Sequence, residues 1–274
     1  TSPYMGALPP ATTWAELLDV SDTALSPLPR ISDRIPPCVT WNLRSLRDTA
    51  THSARGKRAC LRAWLQKGAV VFLQETHWTD ADKAVWEADF QGTKIVHADA
   101  IATGRGGTSG GVAILLPPAT RLVSHAVLVP GLAVLATIRI DQQELRLLAT
   151  YFPPGRQGET LAALRRALQL GEDRTADSAT PVICGGDLNA QWPGPRRGEA
   201  DLVAGWLELL RALGSVPLAY TGGSFASERG SSQIDFIALP AGEAGSFDCA
   251  PQWTLIMPPC APARRSLSGV GRYP

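Results

Sequence analysis

The sequence predicts an α/β fold in which two packed, mixed β-sheets are flanked by helices. From Cys38 onward, short apolar runs alternate with helical patterns and turn residues, which is typical of layered α/β proteins. Between Gly111 and Phe152 several strand-like segments follow one another without a helix, which indicates antiparallel pairing inside a mixed sheet. The chain has 274 residues, 45% of them hydrophobic, which is enough for one large domain with both faces of its sheets buried.

Eight segments have the length and apolar content of β-strands. They are Cys38–Leu43, Ala69–Gln74, Lys94–Ala98, Gly111–Leu116, Leu132–Ile140, Leu145–Phe152, Pro181–Leu188 and Gln233–Leu239. Three groups of apolar residues recur at helical spacing and predict amphipathic helices. These groups are Leu61, Trp64 and Leu65, then Leu161, Leu164 and Leu168, and finally Leu202, Trp206, Leu209 and Leu210.

The two ends of the chain differ in composition from the rest. Residues 1–36 are rich in Pro, Ser and Thr, and residues 258–274 are rich in Pro, Arg and Ser. We therefore predict a flexible N-terminal arm at 1–36, a folded domain at 37–257 and a disordered or out-of-register tail at 258–274. Because the sequence begins at Thr1 rather than at a methionine, we expect it to be a fragment of a longer protein.

Charge and cysteine content exclude several classes of function. The formal net charge of +1 provides no global positive field, so any contact with nucleic acid has to come from a local cleft. The five cysteines are scattered and form no CxxC pair, which argues against a disulfide framework and against a structural zinc site. No apolar run approaches the roughly 20 residues of a membrane span. We therefore expect an intracellular protein without a membrane partner.

Polar residues follow the predicted strands at the points where each strand ends. α/β architectures expose such side chains to a cleft. One cluster alone has the composition of a helix cap or a turn, whereas the set in this order is a stronger indication of a site. The set consists of Trp41-Asn42, Gln74-Glu75-Thr76-His77, Tyr151, Gly185-Gly186-Asp187-Leu188-Asn189 and Ser232-Gln233-Ile234-Asp235-Phe236.

This succession resembles the endonuclease/exonuclease/phosphatase superfamily of metal-dependent phosphodiesterases over the range from Cys38 to Leu239. Gln-Glu-Thr-His followed by Ser-x-Ile-Asp-Phe is typical of the endonuclease domains of non-LTR (LINE-type) retrotransposons. The resemblance implies a four-layer α/β-sandwich of the DNase I-like type. It also implies DNA nicking with Mg²⁺, or with Mn²⁺ in its place. DNA would be the partner, the location would be nuclear, and a reverse transcriptase region would follow in the same polyprotein.

The resemblance implies a role for each polar residue, in keeping with what phosphodiester hydrolysis requires. Glu75 would be the Mg²⁺ ligand with Asn42 beside it, because hard cations prefer oxygen ligands. Asp187 would orient or deprotonate the attacking water, while Asn189 and Tyr151 would donate hydrogen bonds to phosphoryl oxygens.

Four further residues are expected to serve the same site. Asp235 would hold a histidine imidazolium in place, as the carboxylate of a hydrolytic triad does. Trp192, Arg196 and Arg197 follow Asn189 closely in a predicted loop, so we expect them to contact the substrate.

The C-terminal part departs from the family pattern. The family ends in Ser-Asp-His, whereas after Asp235 this chain has only Glu243 and Asp248 as acidic residues and no histidine. Losing a positioned acid–base group lowers the rate by about 10²–10⁴, so we expect an impaired nuclease. Two alternatives remain open. One is an inactive remnant of the domain that keeps the fold, and the other is a phosphatase of the same superfamily.

Overall fold

The computed structural model describes residues 35–47, 52–104, 106–140, 142–169, 180–192, 195–218, 225–227, 230–232 and 234–244. The predicted arm, except for its last two residues, and the whole predicted tail lie outside these ranges. In chain order the elements are β1 (Cys38–Asn42), α1 (His52–Gln66), β2 (Val70–Gln74), a 3₁₀ turn (Asp80–Asp82), α2 (Lys83–Asp89), β3 (Lys94–Ala98), β4 (Ile101–Ala102), β5 (Thr108–Ser109), β6 (Val112–Leu116), β7 (Arg121–Val129), β8 (Ala133–Ile140), β9 (Gln143–Tyr151), α3 (Gln157–Ala167), β10 (Val182–Asp187), α4 (Ala200–Ala212), β11 (Ser215–Pro217), β12 (Phe225–Ser227), β13 (Gly230–Ser232), β14 (Asp235–Pro240) and α5 (Ala241–Ala244).

Two mixed sheets form the centre of the fold. The smaller one has the order β1-β2-β6-β3, and the larger one has the order β11-β14-β10-β9-β8-β7. The parallel pairs are β1 with β2 and β9 with β10, and the remaining neighbours in both sheets are antiparallel. Helices α1 and α3 lie in the connections of the two parallel pairs, because parallel neighbours need a crossover that a tight turn cannot supply.

Three apolar clusters separate the structure into four layers. One cluster lies between the sheets and includes Phe72, Ile114 and Leu147. A second packs α1 and α2 on the smaller sheet, and a third packs α3 and α4 on the larger sheet. All residues of β2 and β6 are buried, as expected for strands covered on both faces. The predicted four-layer α/β-sandwich is therefore confirmed.

The predicted strands agree with the structure to within about two residues at most ends, and Lys94–Ala98 agrees at both ends. The region from Gly111 to Phe152 requires a correction, because it does not lie in a single sheet. β6 belongs to the smaller sheet, whereas β7, β8 and β9 form an antiparallel meander in the larger one. The prediction also missed β7, β11, the short hairpins and α2. In the part of the chain that the structure describes, no helix is long and apolar enough to cross a membrane.

Candidate active site

The polar residues predicted from the sequence meet at one edge of the sandwich. β1 and β2 are parallel, and Asn42 is paired with Gln74, so the chain brings Glu75 next to Asn42 at the end of the smaller sheet. On the larger sheet Asp187 is paired with Tyr151 of β9 on one side and with Asp235 of β14 on the other. The strand ends of both sheets therefore supply one cluster.

Two side chains, Asn42 and Tyr151, connect the two sheets at this edge. Asn42 Nδ2 donates to Glu75 Oε1 over 3.1 Å and to Asp187 Oδ2 over 2.8 Å. The Tyr151 hydroxyl, from the larger sheet, donates to Glu75 Oε1 over 2.5 Å. The carboxylates of Glu75 and Asp187 thus share one donor, and the shared donor fixes their relative position.

Asn189 is held at the same edge by its own turn. Its backbone N–H donates to Asp187 Oδ1 over 2.8 Å, and its Nδ2 donates to the Phe152 carbonyl over 3.0 Å and to Asp187 Oδ2 over 3.3 Å. Gln157 Nε2, at the start of α3, donates to the Asn189 carbonyl over 3.3 Å. The turn after β10 is therefore tied to the end of β9 as well as to Asp187.

Two of the site residues have left-handed backbone conformations. Asn189 has φ 49° and Glu75 has φ 50°. Asparagine tolerates this region, but it is uncommon for glutamate and is maintained only when neighbouring contacts enforce it. At Glu75 the next amide, Thr76 N–H, donates to the Gly111 carbonyl over 3.1 Å, and the Glu75 carbonyl accepts from Ser45 N–H over 2.7 Å. Such locally enforced strain is concentrated at functional sites.

The two glycines before Asp187 are required by close packing. A Cβ atom on Gly185 would lie 2.4 Å from Cγ of Phe72, which projects from the opposite sheet. A Cβ atom on Gly186 would lie 2.4 Å from Thr150 Oγ1. Glycine at 185 therefore lets the two sheets approach each other beneath the site, whereas glycine at 186 leaves space for Thr150 of the neighbouring strand β9.

The electrostatics of the site are dominated by buried carboxylates. Burial is the main cause that raises the pKa of Asp187 to about 8, and the charges of Asp235 and, more weakly, Glu75 raise it further. The hydrogen bonds from Asn42 and from the Asn189 backbone amide act in the opposite direction. Burial and the neighbouring Glu75 carboxylate also raise the pKa of Tyr151 above its ordinary value. Tyr151 is therefore a neutral hydrogen-bond donor at physiological pH.

This donor set suits a hard divalent cation. Glu75 and Asp187 present carboxylate oxygens at one edge, and a cation between them would offset the repulsion that raises the Asp187 pKa. Among the residues that the structure describes, no three or more His, Cys, Asp or Glu side chains are grouped as a metal site. Mg²⁺ needs only one or two protein carboxylates, because it retains several waters. Glu75, with the Asn42 amide beside it, fits the predicted ligand position.

The three predicted substrate contacts have different surroundings. Trp192 is only 5% exposed and packs against Trp206 with ring centroids 5.1 Å apart. Trp192 therefore stabilises the packing of α4, and the substrate contact predicted for it stays a prediction. Arg196 and Arg197 are exposed, and Arg196 Nε donates to Gln191 Oε1 over 3.2 Å.

One residue that organises this loop was not predicted. Glu199 Oε2 accepts hydrogen bonds from the backbone amides of Gln191, over 3.0 Å, and of Arg196, over 3.1 Å. These two bonds draw the ends of the 191–196 segment together. The signal in the sequence is weak, since Glu199 only precedes α4 as its N-cap residue.

Comparison with known proteins agrees with the fold. The family model described as "Endonuclease/Exonuclease/phosphatase family" matches residues 39–253. No match was found among curated protein sequences. The endonuclease domain of TRAS1, a telomere-specific non-LTR retrotransposon, is 20% identical, with a TM-score of 0.51 over 75% of this chain and 84% of that one.

Two further solved structures give similar values. The AP endonuclease LMAP from Leishmania major is 18% identical, with a TM-score of 0.55 over 77% of this chain and 80% of that one. The APE2 catalytic domain from Xenopus laevis is 19% identical, with a TM-score of 0.53 over 75% and 82% of the two chains. At such identities the similarity establishes the fold, and the family match covers most of the sequence. The chain therefore belongs to the endonuclease/exonuclease/phosphatase family.

Proposed function

We propose that this chain is a metal-dependent phosphodiesterase, and specifically a DNA-nicking endonuclease domain of the non-LTR retrotransposon type. The observation that carries the proposal is the network in which the Asn42 amide joins the carboxylates of Glu75 and Asp187. It brings the two acidic groups together at one edge, which supports a site where Glu75 would hold a cation and Asp187 would orient a water. A nuclear location and a downstream reverse transcriptase region belong to the same proposal.

Each side chain has a definite task in this mechanism. Glu75, supported by Asn42, holds Mg²⁺ or Mn²⁺, which when bound stabilises negative charge on the phosphoryl oxygens. Asp187 orients the attacking water and accepts its proton once the Asp187 carboxyl is ionised. Asn189 and Tyr151 would donate hydrogen bonds to the phosphate when it binds. Tyr151 would give up its present bond to Glu75, and Asn189 one of its bonds to Phe152 and Asp187.

By the family pattern, a histidine that follows Asp235 in the sequence would serve the departing oxygen. Residues 236–274 contain none, and Asp235 is the carboxylate that would orient one by the family pattern. We therefore propose slow turnover. This same observation favours one alternative, a folded remnant that binds cations and DNA but does not turn over.

A plasmid-nicking assay of the full chain, with Mg²⁺ and with a chelator, tests the proposal. We expect slow, Mg²⁺-dependent conversion of supercoiled to open-circular DNA, which Glu75→Ala and Asp187→Ala abolish. Glu87→Ala is the matched control, because Glu87 is an exposed acidic residue of α2. Equal nicking by the parent and the Asp187→Ala variant would contradict the assigned site.

Cation binding is measured independently of turnover by thermal unfolding. A cation stabilises the folded state by mass action only when its ligands are present. Mg²⁺ or Mn²⁺ should therefore raise the melting temperature of the parent and of Glu87→Ala, but not that of Glu75→Ala. A cation response without nicking would indicate the inactive remnant, and the same rise in Glu75→Ala would show that Glu75 is not the ligand.

A graft tests whether the absent histidine limits the rate. Residues 258–274 are replaced by a family-like strand ending in Ser-Asp-His, with and without Asp235→Ala. Nicking should increase in the graft only while Asp235 is present. If the ungrafted chain nicks as fast as the graft, the histidine is dispensable. If the graft folds and stays inactive, the loss extends beyond the missing strand.

A further inference from the structure

The loop that follows Asn42 has an unusual backbone. Arg44 has φ 48° and Ser45 has φ 76°, so two consecutive residues that are not glycine occupy the left-handed region. This region is uncommon for such residues, and two in succession need contacts that enforce them. Part of the restraint comes from the neighbouring turn, because Ser45 N–H donates to the Glu75 carbonyl over 2.7 Å and Leu46 N–H donates to the Thr76 carbonyl over 3.3 Å.

A lysine on α1 restrains the same loop from the other side. Lys57 lies in the second turn of the helix and is half-buried. Its Nζ donates to the Leu43 carbonyl over 2.5 Å and to the Ser45 carbonyl over 3.2 Å. These two carbonyls flank Arg44, and hydrogen bonds from a charged donor are roughly twice as strong as neutral ones. The Lys57 ammonium therefore fixes the direction of both peptide groups around the left-handed turn.

The loop in turn fixes the amide of Asn42. The backbone N–H of Arg44 donates to Asn42 Oδ1 over 3.1 Å. Because the oxygen and the nitrogen of an amide diverge from the same carbon, fixing Oδ1 on the loop side directs Asn42 Nδ2 away from the loop. In that orientation Nδ2 reaches both Glu75 and Asp187. A displaced Arg44 amide would leave the Asn42 side chain free to rotate and would remove the shared donor.

We propose that Lys57 is a positioning residue of the active site, which holds residues 43–45 and through them the Asn42 amide that joins Glu75 to Asp187. The inference rests on the proposed function, since it assigns Lys57 to the support of the cation ligand. Lys57 does not touch the reacting groups. It acts on them through one backbone amide and one side chain.

The test is a double-mutant cycle in the full chain, read by cation affinity. The variants are Lys57→Met, Asn42→Ala and the double variant, with Lys57→Arg as the conservative change. Arg62→Met is the matched control, because it removes an exposed positive charge from the same helix. Calorimetric titration with Mn²⁺ gives the apparent Kd of each protein, and melting temperatures without cation identify any variant that fails to fold.

Loss of a residue that supports a metal ligand typically weakens metal binding by about 10–100-fold. We expect Lys57→Met to weaken Mn²⁺ binding by roughly tenfold, whereas Lys57→Arg and Arg62→Met stay close to the parent. In the Asn42→Ala background the Lys57→Met change should add almost nothing, because both changes remove the same interaction. If Lys57→Met does not fold, a parent-like Kd in Lys57→Arg together with weakened binding in Lys57→Gln supports the role.

Two results would overturn the inference. One is a Kd for Lys57→Met equal to that of the parent in a folded protein. The other is an equal loss on changing Lys57 with and without Asn42, since a lysine with a merely structural role would act independently of that amide. Absence of nicking by the parent, with the cation affinities ordered as expected, would instead reject the proposed function and leave the role of Lys57 in place.

Discussion

The raised pKa of Asp187 makes the stability of the fold depend on pH in a direction opposite to that of most paired carboxylates. Burial is the main cause, and the charges of Asp235 and Glu75 add to it, so the pKa rises from 3.8 to about 8. Between these values the folded state keeps a proton that the unfolded chain has lost. The stabilisation is therefore complete below the lower value, and it is lost as pH rises through the upper one.

The size of the effect is limited by the single proton involved. One proton bound by the folded state alone changes the free energy of unfolding by at most about 1.4 kcal/mol per pH unit. Urea unfolding between about pH 5 and pH 7.5, in a chelator, should show a steeper loss of stability for the parent than for Asp187→Ala. The histidines also titrate in this pH range, but they are the same in both proteins, so the difference between the two slopes reports the contribution of Asp187 alone. Asp235→Asn should reduce that difference, because it removes the second cause of the shift.

Two results would refute this reasoning. If the slopes of the parent and Asp187→Ala are equal, the folded Asp187 is already ionised and its pKa is not raised. If saturating Mg²⁺ leaves the slope of the parent unchanged, the cation does not compete with the proton for this carboxylate. The expected result is a flatter dependence with Mg²⁺, because cation binding favours the ionised form.

Three further changes have defined outcomes. Gly185→Ala should lower the free energy of unfolding by about 1–3 kcal/mol in urea titrations, because there is no space for the added Cβ atom. Gly104→Ala is the control and should have little effect, because a Cβ atom at residue 104 would face open space. Tyr151→Phe should lower nicking by about 10²-fold with an unchanged circular dichroism spectrum, because it removes a positioned donor. Glu199→Ala should weaken the binding of a labelled DNA duplex in anisotropy measurements by loosening the 191–196 segment, and Glu199→Gln should restore part of it, because Gln keeps an acceptor oxygen.

The strands that the sequence predicted are those with at least one face in a core. β6 reads as Val-Ala-Ile-Leu-Leu and is buried throughout, so its composition alone identifies it. β7 was missed because it is the edge strand of the larger sheet and most of its side chains are exposed. Its sequence therefore lacks the regular alternation of buried apolar and exposed polar residues that identifies a strand. α2 was missed because its seven residues bury only Trp86. Burial pattern therefore decided what could be predicted.

The residues of the candidate site were accessible to prediction because motif order fixes which strand ends carry them. Their contacts were not, because the hydrogen bond from Asn42 to Asp187 joins residues of different sheets and depends on how those sheets are stacked. The burial of Trp192 was not predicted for a related reason. Proximity to Asn189 in sequence does not reveal that the chain turns inward there and places the indole against Trp206.

The position of the site across both sheets has a mechanical consequence. The sheets are joined at this edge by the bonds of Asn42 and Tyr151, while the close contact of Gly185 with Phe72 sets their separation nearby. A slip of one sheet along the other by about 1 Å would misplace the carboxylates, and such a displacement can cost about 10²-fold in rate. The rate of the proposed reaction would therefore depend on how the two sheets of the core are aligned, and not only on the residues at the site.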